Sequence, residues 1–258
     1  MIPSAFLPLR SALVGIGLGA LLATSVLAGV REDSVALDAV YIPALALTSA
    51  AQSDASVADK ARAAMQRLDA RWPALRTSLQ ASLAATPAQA AAARKTIAAV
   101  ESHIAGGRTA VAKGDFKGAH DALEEVRIDL MKARTARGVD YFVDRLTAYH
   151  EPMEVIALAG LQLKPQDLTP AKKAEIEKAF AEARALWRGI EQNLPRPADY
   201  GLDAARASQF EKGVADETAA LTRLSDALRG GDAAALLKAA QAIKPPFART
   251  FTAFGQNS

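Results

Sequence analysis

The chain reads as an all-α protein made of two tandem, internally duplicated four-helix bundle units of the up-down type. Three observations predict this. Alanine dominates while aromatic residues make up only 5% of the chain, a balance that favours packed helices over strands. Apolar residues recur at spacings of three and four between glycine and proline breaks, as in Ile97, Val100, Ile104 and Val111, which is the period of one helix face. The third observation is a repeat. Trp72 matches Trp187 at an offset of 115, with Met65 on Phe180, Leu75 on Ile190 and Leu79 on Leu194. At an offset of 117, Ile97 matches Val214, Ile104 matches Leu221, Val111 matches Leu228, Gly114-Asp115 matches Gly231-Asp232, and Gly138 matches Gly255. Chance likeness between Ala-rich helices is the competing account, and the pairing of the only two tryptophans argues against it. Four amphipathic helices joined by short loops close into an antiparallel bundle. The expected division is a signal peptide over 1–28, a first unit over 29–138 and a second over 139–258.

The N-terminal segment comes first. Arg10 precedes an apolar run from Ser11 to Leu27, and Val26-Leu27-Ala28 places small residues at the two positions a signal peptidase reads. Cleavage after Ala28 is expected, leaving no stable membrane span. The alternative is an uncleaved anchor, since Ser11 to Val30 approaches the length that crosses a bilayer. No Cys follows, so the segment is not a lipoprotein signal. Either way the body of the protein is exported, most simply to a periplasm.

Eight helical segments follow, over 34–53, 55–83, 87–113, 115–136, 139–160, 169–194, 202–229 and 231–254. Gly114, Gly138, Gly160, Pro165, Pro195-Arg196-Pro197 and Gly230-Gly231 separate them. Pro87, Pro170 and Asp232 suit first turns. Pro43, Pro73, Pro152 and Pro245-Pro246 fall inside helical patterns and predict kinks or breaks.

The candidate site lies on either side of Gly138. His120 precedes Glu124 by four residues, and His150 precedes Glu154 by four. Residues four apart share a helix face. Both pairs sit in or beside an apolar stripe: Leu123, Val126 and Leu130 on one helix, Leu146, Met153 and Ala157 on the other. A buried Glu is costly unless it is paired or bound to a cation. Reversal of the chain at Gly138 would bring both pairs within roughly two helical turns of one another, and reversal at Gly114 would add His103. The second half offers a control, since His103 corresponds to Ala220, His120 to Leu237 and Glu124 to Gln241. The bundle itself therefore does not need these groups.

Two accounts of the cluster lead. In one, His120, Glu124, His150 and Glu154 bind a divalent transition metal such as Zn, Cu, Fe or Ni, with His103 as a further ligand and Arg127 and Tyr149 in support. In the other, Arg127, Glu124 and Glu154 form a buried ion-pair network with the histidines as hydrogen-bond partners. A haem or small-molecule pocket is a third, less direct option. The His-x-x-x-Glu spacing differs from the Glu-x-x-His of di-iron carboxylate bundles. Met131 and Met153 read as core fillers.

Other classes are disfavoured. A net charge of +3 with interspersed signs leaves no basic stripe for nucleic acid. The absence of cysteine removes disulfides, thiolate metal sites, iron–sulfur clusters, covalent haem and cysteine nucleophiles together. No phosphate loop, nucleophile elbow or HExxH stands in the sequence, so an enzyme is not expected. The last stretch, GDAAALLKAAQAIKPPFARTFTAFG, resembles the final helix of periplasmic four-helix-bundle cytochromes of the c′ type over about a tenth of the chain, with its Ala-rich run, basic residue and terminal aromatics. Pro245-Pro246-Phe247-Ala248-Arg249 stands where that family carries its Cys-x-x-Cys-His. The resemblance thus implies fold and compartment, without covalent haem. The expected function is an exported metal-binding protein or, alternatively, a non-catalytic interaction or scaffold module.

Overall fold

The computed structural model describes residues 16–256, with side chains from Gly29 onward. Arg10 and the start of the apolar N-terminal run lie outside the described residues. Nine α-helices and three short 3-10 turns occur among the described residues, and no strand does. The helices are α1 Ile16–Ala51, α2 Ala58–Ser82, α3 Pro87–Ala112, α4 Phe116–Ala136, α5 Phe142–Gln162, α6 Pro170–Glu191, α7 Ala204–Gly230, α8 Ala233–Gln241 and α9 Lys244–Thr252.

Local chemistry accounts for the boundaries. Side-chain oxygens of Thr86, Asp115, Thr169, Asp203 and Asp232 accept from backbone N–H groups of the first turns of α3, α4, α6, α7 and α8, satisfying donors that a helix start leaves free. At the end of α4, Gly138 N donates to Thr135 O and Val139 N to Arg134 O, with Gly138 at φ +68°. This is a left-handed Schellman cap, for which glycine carries no Cβ penalty. Pro43, Pro73 and Pro152 are accommodated within α1, α2 and α5. The last helical stretch breaks next to Pro245-Pro246, as the proline pair predicts, dividing at Ala242-Ile243 into α8 and α9. Pro245 and Pro246 cannot donate to carbonyls a turn earlier, but they fit the first turn of α9. The first helix differs: α1 is continuous from Ile16, well before residue 34.

The helix contacts form two closed circuits. α1 packs on α2, α2 on α3, α3 on α4, and α4 returns to α1; α5 packs on α6, α6 on α7, α7 on α8 and α9, and both of these return to α5. Contacts of α4 with α5 and of α1 with α9 join the circuits. One apolar core runs through all of them. Close backbone approaches fix the second circuit: a Cβ on Gly160 would lie 2.5 Å from Gln241 N and 2.7 Å from Leu237 O, so α5 touches α8 where no side chain intervenes. Gln256 N donates to Ala39 O at 2.9 Å and ties the C-terminal end to α1.

Candidate functional site

α4 and α5 run antiparallel from the Gly138 turn. Arg134 meets Asp144 near the turn, and one to two helical turns further on Arg127 meets His150. Leu123, Val126 and Leu130 of α4 and Tyr149, Met153 and Ile156 of α5 are buried in the core. This burial holds Arg127, His120 and His150 against the seam between the two circuits.

The polar groups there form one continuous chain across four helices. Lys244 Nζ, on α9, lies 3.2 Å from Glu154 Oε1 on α5. His150 Nε2 lies 3.4 Å from Glu154 Oε2. Arg127 Nη2 donates to His150 Nδ1 at 2.6 Å and also to Glu124 Oε2. His120 Nε2 stands 3.4 Å from Glu124 Oε1, and its Nδ1 donates to Leu45 O of α1 at 3.2 Å. Because Arg127 is always a donor, His150 Nδ1 accepts and its proton sits on Nε2, facing Glu154. Burial, followed by the charges of Arg127 and Lys244 and by His120, pushes the His150 pKa down to about 2. It is a neutral imidazole at every physiological pH.

A pocket of about 120 Å³ opens onto this chain. Its polar side carries His120, Glu124, Arg127, His150 and Lys244; Leu45 and Ala46 of α1 and Phe247 and Phe251 of α9 supply the apolar side. The Arg127 guanidinium lies 5.7 Å from the Phe251 ring centroid, within cation–π range. Arg127 is only 5% exposed, and its Nε is buried with no partner among the described residues.

Of the sequence candidates, His120, Glu124 and His150 line this pocket, and Glu154 joins them through Lys244 and His150. His103 stands apart, its Nε2 3.4 Å from Asp129 Oδ2 on the α3–α4 face. Among the described residues no group of three or more His, Asp or Glu is disposed to hold a metal ion. The physical reason in the seam is Arg127, whose guanidinium stands between Glu124 and His150 where a shared cation would be. Tyr149 faces away from the cluster: its O–H donates to Glu217 Oε1, and its ring centroid is 4.8 Å from that of Trp187.

Two buried networks are not anticipated by the reading of the sequence. Arg134 bonds Asp144 through both Nε and Nη2 and donates to Ser34 from Nη1, while Tyr141 O–H donates to Asp38 at 2.6 Å. Burial raises the Asp38 pKa to about 6, against the lowering pull of Arg134. Glu217, fully buried on α7, has its pKa raised to about 8 by burial, with the Tyr149 bond acting in the opposite sense. Its position within the apolar face of Val214, Leu221 and Leu224 was the available signal.

No protein-family model, curated protein or solved structure matches this chain.

Proposed function

We propose that this is an exported, non-catalytic helical-bundle protein in which the His/Glu/Arg cluster is a structural network joining two related four-helix units. The observation that carries the reading is the single Arg127 Nη2 that serves both Glu124 and His150. A buried guanidinium paired in this way already supplies the cation that the buried carboxylate requires. A metal at the same place would have to displace it.

Matched positions support the duplication. Gly114 and Gly231 adopt nearly the same left-handed conformation, φ +76° and +75°, and the Asp after each caps the next helix. Trp72 and Trp187 are both buried. Four residues beyond each tryptophan, Arg76 bonds Glu101 and Glu191 bonds Thr218, and these pairs fall on the repeat offsets. The offset that relates α4 to the last helices also places Lys244 opposite Arg127, so each unit contributes one cation to the seam. The match loosens at the edges, since Leu79 is buried and Leu194 exposed. Export is supported by the apolar N-terminal stretch; Gly29–Ala51 is long and apolar enough to cross a membrane, yet much of its apolar surface is buried inside the fold, as in a core helix.

A metal-binding reading keeps one supporting observation: two imidazoles and a carboxylate line one pocket. Calorimetric titration of the untagged protein with Zn and Cu, with melts of the same samples, tests both readings. The network reading expects no metal-dependent rise in melting temperature and a lowered one for Glu124→Ala. Binding that is lost in His150→Ala and weakens as pH falls through the imidazole range would overturn it in favour of a metal site.

A further inference from the structure

We infer that the C-terminal end is a clasp that closes the seam between the two circuits by docking into the gap Pro43 leaves in α1. In an α-helix each N–H donates to the carbonyl four residues back, so residue 43 would serve Ala39 O. Proline has no N–H and leaves that carbonyl without its helical partner. Gln256 N supplies the missing donor at 2.9 Å. The local shape fits this docking. A Cβ on Gly255 would lie 2.8 Å from Pro43 Cδ and 3.1 Å from Ile42 Cγ2, so glycine is what lets the chain lie on the proline ring. Pro73 and Pro152 free Asp69 O and Ala148 O in the same way. Among the described residues, no backbone N–H from outside those helices donates to either carbonyl. Of the three gaps, the one at Pro43 is filled by another part of the chain.

The clasp is anchored on one circuit and fastened to the other. Phe254 is buried, its ring centroid 5.7 Å from Phe142, 5.4 Å from Tyr200 and 5.4 Å from Phe210. Arg206 Nη1 donates to Gly255 O at 3.4 Å. These partners belong to α5, to α7 and to the turn before α7, whereas Gly255 and Gln256 reach α1. Just before the clasp, Phe247 and Phe251 of α9 line the seam pocket together with Leu45 and Ala46 of α1. Fastening the clasp therefore holds these two walls together, while the Gly138 turn joins α4 to α5 independently. Closed, the clasp keeps Arg127 only 5% exposed and the His150 side chain only 12%. Released, it lets α9 move off α1 and opens His120 and His150 to solvent. The clasp belongs to α1 and the C-terminal end, so it stands whether the seam cluster is a network or a metal site.

The test is the rate at which diethyl pyrocarbonate, which acylates accessible neutral imidazole, modifies each histidine of the purified protein at neutral pH, read by mass spectrometry. Gln256→Pro removes the donor, and Gly255→Ala pushes the chain off the proline ring. Each should speed modification of His120 and His150 at least about tenfold through local opening. His103, which lies outside the seam beside Asp129, should not change. Gln256→Ala keeps the backbone N–H and loses only an exposed side chain, so it should match the unaltered protein. Emission from Trp72 and Trp187, both buried, should stay constant and show that each circuit remains folded. Unchanged His120 and His150 rates in both clasp variants would overturn the inference, as would faster modification in Gln256→Ala. Loss of tryptophan burial in both clasp variants would overturn it too, because the contact would then be one part of a single cooperative fold. Failure of the network reading looks different: added ZnCl2 would then slow modification of His120 and His150 in the unaltered protein.

Discussion

Replacing Glu217 by Gln should stabilise the protein at neutral pH, and the gain should grow with pH. Glu217 is fully buried, accepts a hydrogen bond from Tyr149 at Oε1 and leaves Oε2 without a partner. Burial raises its pKa from 4.5 to about 8. The folded form therefore holds a proton that the unfolded chain releases above pH 4.5. A group whose folded pKa is raised contributes stability that is fully present below the unfolded pKa and lost as pH rises through the folded pKa. Between those limits the loss runs at about 1.4 kcal/mol per pH unit. At pH 7 it amounts to roughly 3 kcal/mol, and above pH 8 to roughly 5 kcal/mol. Gln keeps the acceptor for Tyr149 and cannot ionise. Any cost of its unpaired amide is constant with pH, so the pH dependence of the difference carries the test. Urea unfolding of both proteins at several values from pH 4.5 to 9 measures it. Parallel stability curves would show that Glu217 is ionised in the fold and would refute the reasoning.

Other outcomes follow from the same geometry. Arg127→Met should cost roughly 3–5 kcal/mol, because it strands Glu124 beside His150; adding Glu124→Gln should restore a large part, which a double-mutant cycle in urea reads directly. In Gly160→Ala the new Cβ meets the backbone of Gln241 and Leu237, and a loss of about 1–3 kcal/mol is expected. An unchanged melting temperature would mean that α5 and α8 are not in close contact. N-terminal sequencing of the exported protein should begin at Gly29, which follows the Val26-Leu27-Ala28 triplet. A full-length chain that remains with membranes would contradict cleavage.

What the sequence determined by itself was local. Helix positions followed from punctuation and capping, because a glycine at φ +68° or an Asp at an N-cap acts within one turn of its own position. The reversal at Gly138 was legible for the same reason, and with it the meeting of His120, Glu124 and His150. Sequence periodicity placed those residues on the right faces but could not fix how far each helix is rotated toward its neighbours. The tertiary structure decided that His103 turns to Asp129, that Lys244 reaches Glu154 from ninety residues away, and that Arg127 occupies the centre of the cluster. It also joined Asp38 to Tyr141 and Tyr149 to Glu217 across pairs of helices distant in the chain. At about 100° per residue, a small change in the axial rotation of a helix exchanges one partner for another. That rotation is set by the packing of whole faces, including close approaches such as Gly160 on α8, and no local pattern encodes it.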